Sequence, residues 1–190
     1  MQRLSVVCLF TGLILTLLTV GCGGGGGGAG QEVFTLTSPA FTNNGAIPLK
    51  YASANLGGQD VSPPLQWSNP PSGTRSFAIT CIDLDADNFV HWVIYDIPAT
   101  LSALPENVLK QPQAQINGAT VKQGQNDFGG VGYGGPEPPP NERHRYQFTV
   151  YALSVDTLNL PAGATTLQQV NQAMQGKILS QATLIGTFQH

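Results

Sequence analysis

The sequence predicts a mostly β protein, an antiparallel β-sandwich with a few peripheral helices. Three observations lead to this fold class. Short β-rich runs separated by turn residues recur along the chain after residue 32. The chain contains 14 prolines, and only one segment has clear helical periodicity. One good helix cannot cover both faces of a parallel sheet, so packed antiparallel sheets are expected.

The predicted strands differ in the pattern that indicates them. Residues 76–82 are small or apolar on both faces, which is typical of a strand in the middle of a packed sheet. Residues 145–153 alternate, with Tyr146, Phe148, Val150 and Ala152 on one face. The remaining predicted strands lie at residues 33–37, 47–51, 65–68, 89–97 and 183–188.

One helix is predicted near the end of the chain. Thr165 or Thr166 can cap its start, and Leu167, Val170 and Met174 recur at helical spacing. Gly176 follows and would end the helix. Residues 98–141 are predicted to be mostly loop, with one turn of helix at 101–108. A long irregular segment inside a compact domain is often functional.

The first residues have the layout of a secretion signal. Arg3 precedes an uncharged apolar stretch at 4–20, and Gly21 and Cys22 follow it. Residues 18–22 resemble a bacterial lipoprotein cleavage box, although Thr19 stands where leucine is usual. We therefore expect residues 1–21 to be a signal peptide and Cys22 to be lipidated, with ordinary secretion as the alternative.

A glycine run at 23–28 follows Cys22 and has no side chains to bury, so it is predicted to be a flexible tether. Residues 22–32 are then the lipidated cysteine and tether, and 33–190 form one domain. The expected location is the bacterial cell envelope, exported and anchored to a membrane by lipid at Cys22.

Composition excludes one class of partner. Charged residues are 10 % of the chain and the net charge is −3, so the clustered Lys and Arg of a phosphate-backbone binder are missing. We expect no nucleic-acid partner, and the sequence identifies no protein partner and no cofactor. Cys8 leaves with the signal and Cys22 carries the lipid, so Cys81 is predicted to be a single buried core residue without a disulfide.

Three acids, Asp83, Asp85 and Asp87, follow the strand at 76–82. A calcium loop is excluded, because Asn88 stands where glycine is required and Ile94 where a bidentate Glu belongs. A phosphatase of the haloacid dehalogenase kind also uses an Asp-x-Asp pair after a strand, but the chain offers too few helices for that fold. For Asp87 we favour a structural role, the capping of a turn.

Two histidines lie near predicted strands. An isolated histidine such as His91 in an apolar strand is more often a hydrogen-bonded core residue than a ligand. If its strand pairs with the one leading to Asp83, the carboxylate would favour the charged imidazolium. His144 opens a later strand, and Arg145 should point away from its neighbours. Glycines at 129–135 have dinucleotide-fingerprint spacing, but the prolines that follow forbid the required helix, so they predict a rigid wall for a ligand.

These motifs together resemble a known family. Residues 61–67 (VSPPLQW), 83–87 (DLDAD), 91–98 (HWVIYDIP) and 132–153 (GYGGPEPPPNERHRYQFTVYAL) have the order and spacing of the phosphatidylethanolamine-binding protein family, bacterial Raf-kinase-inhibitor-like branch. Residues 182–188 (ATLIGTF) also look like that branch's ending.

The resemblance implies an antiparallel β-sandwich with one small pocket for phosphate-like or carboxylate anions, and it implies no metal. The pocket residues carried over by motif are Asp83, Asp85, His91, Gly135, Pro136, His144 and Tyr146. Glu137 departs from the family pattern, and extra acid there would favour a ligand that also carries an amine or hydroxyl.

The expected function is binding of a small anionic or zwitterionic headgroup or metabolite, with no catalytic residue assigned. One alternative is a hydrolase acting on a phosphoester or ester through Asp83, His91 and His144. Another is an inhibitor of a protease or kinase, which rests on the family resemblance alone; an exported location makes a cytoplasmic kinase a poor target.

Overall fold

Two β-sheets organise the part of the chain that the computed structural model describes, residues 32–190. The predicted signal peptide, Cys22 and the glycine tether lie outside these residues. The elements in chain order are β1 (Thr35–Thr37), β2 (Gly45–Ala46), β3 (Leu65–Ser68), β4 (Ser76–Asp83), β5 (Phe89–Pro98), β6 (Ala103–Leu104), β7 (Gln113–Ile116), β8 (Ala119–Gln123), β9 (Arg143–Leu153), α1 (Leu167–Met174) and β10 (Ile178–Gln189).

The large sheet has seven strands in the order β2-β10-β9-β4-β5-β8-β7, and the small sheet has three in the order β1-β3-β6. All pairings are antiparallel except that of β2 with β10. The central strands β4 and β5 are nearly continuous in apolar residues, which fits strands covered on both faces, whereas the first half of β9 alternates polar exposed and buried residues. The predicted mostly β fold class is confirmed.

The main core lies on one face of the large sheet, where the small sheet packs. Trp67 of β3 contacts Phe77 of β4 with ring centroids 5.2 Å apart. From β9, the predicted inward residues Tyr146, Phe148, Val150 and Ala152 all belong to this core. Cys81 is also buried there, as predicted, and burial raises the pKa of its thiol.

The opposite face of the large sheet is covered by α1. Val170 and Met174 of α1 are buried against Ala78, Val93 and Tyr95. Thr166 caps the helix in a capping box with Gln169, so the predicted helix and its cap are confirmed. Among residues 32–190, the helices are too short or too polar to cross a membrane.

Two local predictions are wrong. The alternation of Ile47, Leu49 and Tyr51 suggested a strand, but residues Leu49–Tyr51 form a 3-10 turn that begins after Pro48, and Leu49 is exposed. The segment 98–141 is mostly loop, as predicted, although it also contributes β6 and the β7–β8 hairpin. The predicted turn of helix at 101–108 is replaced by β6 and irregular backbone.

Candidate functional site

Three adjacent strands bring the predicted site residues together at one end of the large sheet. β4 lies between β5 and β9 and is antiparallel to both. Asp83, the last residue of β4, pairs with Phe89 of β5 and with Tyr146 of β9. His144 lies two residues before Tyr146, so its side chain projects from the same face of β9.

A bulge in β5 reorients the strand at His91. Trp92 pairs with Cys81 and Val90 pairs with Ile82, so His91 has no opposite residue in β4. Regular alternation would place Val90 and Trp92 on one face. Instead Val90 packs in the cluster under α1 and Trp92 in the main core. The bulge therefore lets His91 face the same end of the sheet as Asp83.

A cavity of about 340 Å³ opens at this end of the sheet. This is near the lower limit of ligand pockets, a size that suits a small headgroup or metabolite. Four predicted site residues line it, Asp83, Asp85, His91 and His144. Glu137, expected to add acid near the pocket, also lines it, and so do Phe89, Phe128 and Glu142, to which the sequence analysis assigned no pocket role.

His144 lies between two carboxylates. Its Nδ1 donates to Oδ2 of Asp83 at 2.7 Å, and its Nε2 donates to Oε2 of Glu142 at 3.1 Å. Since carboxylates only accept, this arrangement requires the charged imidazolium. Burial by itself lowers the pKa of His144, but the hydrogen bonds to Asp83 and Glu142 outweigh burial and raise the pKa.

His91 has the opposite charge preference. Its Nδ1 donates to the carbonyl oxygen of Gly134 at 2.7 Å. Burial lowers the pKa of His91 and outweighs the opposing effects of Gly134 and Asp83. The Asp83 carboxylate does favour the charged imidazolium, as expected, but burial outweighs it and the neutral ring is favoured. With Nδ1 protonated, Nε2 of the neutral ring is an acceptor, and it makes no hydrogen bond with any other residue between 32 and 190.

Tyr146 lies beside His91, with ring centroids 5.0 Å apart. The residue is buried, and within residues 32–190 its hydroxyl has no hydrogen-bond partner. The indole N–H of Trp67 is the other buried side-chain group without a partner in that part of the chain. Burial and the nearby Asp83 carboxylate raise the pKa of Tyr146, so the phenol stays neutral and can donate.

Asp85 lines the cavity and also accepts hydrogen bonds from Arg145 of β9. Its carboxylate accepts from the backbone N–H of Arg145 at 2.8 Å and from the Arg145 guanidinium at 2.7 Å. The hydrogen bond from the guanidinium is the main reason that the pKa of Asp85 falls to about 2. The Arg145 side chain is exposed, which confirms that it points away from His144 and Tyr146.

The acid-rich loop after β4 is shaped by one side-chain cap and by the backbone conformation of its turn. Asp83 accepts from the N–H of Asp85 at 2.9 Å, so the turn is capped by the first acid of the cluster. Asp87 and Asn88 have positive φ, 49° and 59°, as the central residues of a type I′ turn do. The predicted capping role of Asp87 is wrong, because within residues 32–190 its carboxylate accepts no hydrogen bond. No three His, Cys, Asp or Glu side chains in the described range are arranged to hold a metal ion.

The glycine-proline wall differs from the prediction. Its N–H groups were expected to face a ligand, but the N–H of Gly134 donates to the carbonyl of His91 at 2.8 Å and that of Gly135 to Asp60 at 2.7 Å. Gly135 lines a neighbouring cavity of about 280 Å³ instead. The carbonyl of Pro136 accepts from the N–H of Ser53 at 3.0 Å. Gly135 and Pro136 therefore support the loop and do not line the cavity with His144.

Comparison with known proteins identifies the family. The family model for phosphatidylethanolamine-binding protein matches residues 37–189. The chain belongs to the phosphatidylethanolamine-binding protein family. The matched range includes the cavity and all seven of the ligand-binding residues predicted from the motifs.

Relatives of this chain include proteins named UPF0098. A UPF0098 protein of Aquifex aeolicus is 46 % identical over 163 residues, covering 84 % of this chain and 91 % of the relative. The UPF0098 protein YbhB of Escherichia coli is 36 % identical over 135 residues, covering 68 % of this chain and 84 % of YbhB.

Two solved structures share the fold. The crystal structure of Escherichia coli YbcL, described as a member of the mammalian family, matches with a TM-score of 0.76 and 29 % identity, over 83 % of this chain and 98 % of YbcL. A putative family homologue from Chlamydia trachomatis, CT736, matches with a TM-score of 0.70 and 34 % identity, over 83 % of this chain and 97 % of CT736.

The sequence contained a signal for only one of the lining residues that it left unassigned. Glu142 precedes His144 by two residues, so the period of a strand places both on one side of the chain. Phe128 reaches the cavity from the loop after β8, and its ring lies 5.2 Å from that of His91. Strand periodicity says nothing about where a side chain from such a loop will lie.

Proposed function

We propose that this member of the phosphatidylethanolamine-binding protein family binds a small anionic or zwitterionic molecule, with a phosphate- or carboxylate-like group, in the cavity at the end of β4, β5 and β9. The observation that carries the proposal is that His91, whose Nε2 has no partner among residues 32–190, lines this cavity and lies beside Tyr146, whose buried hydroxyl also has none there. A buried polar group without a partner costs about 1–3 kcal/mol. That cost applies to the Tyr146 hydroxyl, and a ligand group that reaches it past His91 would remove it.

The charges around the cavity favour a ligand that is more than a bare anion. The carboxylates of Asp83, Asp85, Glu137 and Glu142 line it, and His144 is the cation among its lining residues in the described chain. A purely anionic ligand would meet repulsion from the acids. A ligand that also carries an amine or a hydroxyl can donate to a carboxylate or to Nε2 of His91, which is an acceptor.

Binding is better supported than hydrolysis. The cavity-lining residues in the range 32–190 include no Ser, Thr or Cys that could act as a nucleophile. Asp83 and His144 have the geometry of an orienting acid and a base, but Nε2 of His144 is directed at Glu142. A charged imidazolium in that position cannot accept a proton from a substrate or a water molecule.

Isothermal titration calorimetry tests the proposal. Phosphate, phosphoethanolamine and acetate are titrated into wild type, His144→Ala and His190→Ala. His190 is an exposed histidine outside the cavity lining, so it controls for loss of an imidazole. We expect binding of at least one probe, weakened about tenfold or more by His144→Ala, the scale of a lost charge-assisted hydrogen bond, and unchanged by His190→Ala. No heat with any probe in wild type would refute the proposal, and phosphoester turnover lost in Asp83→Asn would favour the hydrolase.

We also propose that the protein is exported and held on a membrane by lipid at Cys22. The support comes from the sequence, the charge-free apolar stretch at 4–20 followed by Cys22 and a glycine run. Metabolic labelling with an alkyne fatty acid should label wild type but not Cys22→Ala. Wild type that is unlabelled, or that fractionates with the cytoplasm, would contradict the proposal.

A further inference from the structure

Glu142 occupies the place where the anionic group of a ligand would meet His144. Its Oε2 lies 3.1 Å from Nε2 of His144, the ring nitrogen that Asp83 leaves available. Both Glu142 and His144 line the cavity of the proposed ligand site. A carboxylate in this position makes the same kind of charge-assisted hydrogen bond as a carboxylate or phosphate oxygen of a ligand would.

The two carboxylates on His144 are held very differently. The Asp83 side chain is 5 % exposed, and it is fixed further by the N–H of Asp85. The Glu142 side chain is 57 % exposed, and among residues 32–190 its carboxylate has no hydrogen-bond partner other than His144. Glu142 can therefore leave His144 by a rotamer change, whereas Asp83 cannot.

Hydrogen bonds hold the backbone of Glu142 in place, although its side chain is largely exposed. Its N–H donates to the carbonyl of Pro139 at 3.1 Å, and its own carbonyl accepts from the N–H of His190 at 3.2 Å. The preceding residue, Asn141, has a φ of 66°, a conformation that asparagine tolerates. These backbone hydrogen bonds hold the Glu142 backbone beside His144, so its carboxylate stays within reach of the ring when the side chain changes rotamer.

We propose that Glu142 is a tethered competitor of the ligand: its carboxylate occupies Nε2 of His144 in the free protein and must be displaced before an anionic group binds there. This inference rests on the proposed ligand site. A group held by a short tether acts at an effective concentration in the millimolar range. Glu142 therefore weakens the binding of every anion that uses Nε2 of His144.

The test compares two neutralised glutamates that line the same cavity. Glu142→Gln removes the competing charge, and Glu142→Ala also removes the acceptor. Glu137→Gln removes the same charge from a residue whose carboxylate accepts from Asn55 at 2.8 Å and, within residues 32–190, makes no hydrogen bond to His144. Inorganic phosphate is titrated into all four proteins by calorimetry, and the His144 ring is followed by NMR.

Phosphate should bind about fivefold tighter to both Glu142 variants, the scale of a part-exposed ion pair. The Glu137 variant should gain about twofold or less from the general reduction in negative charge. The pKa of His144 should fall in the Glu142 variants and fall less in Glu137→Gln, which a purely long-range charge effect would not produce.

The competitor would be overturned if the affinity for phosphate rose equally in the Glu142 and Glu137 variants, or rose in neither. The proposed function would stay intact as long as phosphate still binds to wild type. Binding that appears only in the Glu142 variants would support both proposals. An absence of phosphate binding in all four proteins would overturn the competitor, and it would overturn the proposed function as well if phosphoethanolamine and acetate also fail to bind.

Discussion

Asp83→Asn tests the pair of charges on which the site is built. The amide has the shape of the carboxylate, and its oxygen can still accept from the N–H of Asp85. Its NH₂ group cannot accept from Nδ1 of His144, so the charge-assisted hydrogen bond is lost. His144 should then lose most of the interaction that keeps it charged, and its pKa should fall.

The expected loss follows from burial and geometry. The side chains of Asp83 and His144 are 5 % and 8 % exposed, and Oδ2 and Nδ1 are 2.7 Å apart. A hydrogen bond to a charged group contributes about 1.5–3 kcal/mol. Neutral His144 can still accept a hydrogen bond from the new amide, which recovers part of the loss. We therefore expect the free energy of unfolding to fall by about 2 kcal/mol at pH 6, or roughly 4–8 °C in Tm for a domain of this size.

The loss should depend on pH, with a sign set by His144. Its pKa in the folded protein is raised above the value near 6.5 of the unfolded chain. The stabilisation from the ion pair is therefore complete below about pH 6.5 and is lost as pH rises through the folded pKa. Above the folded pKa the histidine is neutral in both proteins, so Asp83→Asn should cost less at pH 9 than at pH 6.

Urea denaturation at pH 6 and pH 9, followed by circular dichroism, measures both values. Asp87→Asn is the matched control, since it makes the same substitution in the same loop at a carboxylate without a hydrogen bond in the described chain. We expect it to change stability by less than about 0.5 kcal/mol at either pH. Equal effects of the two substitutions, or a loss for Asp83→Asn that does not shrink at pH 9, would refute the account of this pair.

Two further predictions concern the surroundings of the site. Gly135→Ala should destabilise the fold by about 3 kcal/mol in chemical denaturation, because an added Cβ would lie 2.5 Å from the backbone of Tyr51 and Ala52. As the control, Gly129→Ala has open space around it and should cost only about 1 kcal/mol, from its positive φ. Equal costs for the two substitutions would contradict the packing argument. In an NMR titration His91 should have a pKa below 6.5. Its contribution to stability is therefore present above that pH and is lost as the pH falls. A His91 pKa above that of His144 would show that burial does not control the His91 pKa.

The central strands could be predicted because burial on both faces is visible in the sequence. The strand that ends at Asp83 contains apolar residues at both odd and even positions, a pattern that is typical of strands buried on both faces. The β7–β8 hairpin was missed although its turn is Asn117-Gly118, with φ values of 49° and 83°. That pair is a strong hairpin signal, but the polar strands on either side of it hid the alternation.

The candidate site could be predicted only in part, because the orientation of His91 depends on the pairing register of β5 with β4. The motifs named Asp83, Asp85, His91 and His144, and these four do line one cavity. The bulge that orients His91 depends on how β5 pairs with β4, and no single strand contains that information. Gly135 was named for its likeness to a ligand-facing wall, but its N–H donates to Asp60, 75 residues away in the chain.

The central claim is that the cavity beside His144 and His91 holds a small anionic group, and an NMR titration with inorganic phosphate tests it most directly. The ring signals of His144 and His91 and those of Tyr146 should shift together along one saturable binding curve. Histidine 190, which lies outside the cavity lining, should not follow that curve. Saturable shifts at other surfaces, with these three rings unmoved, would contradict the claim.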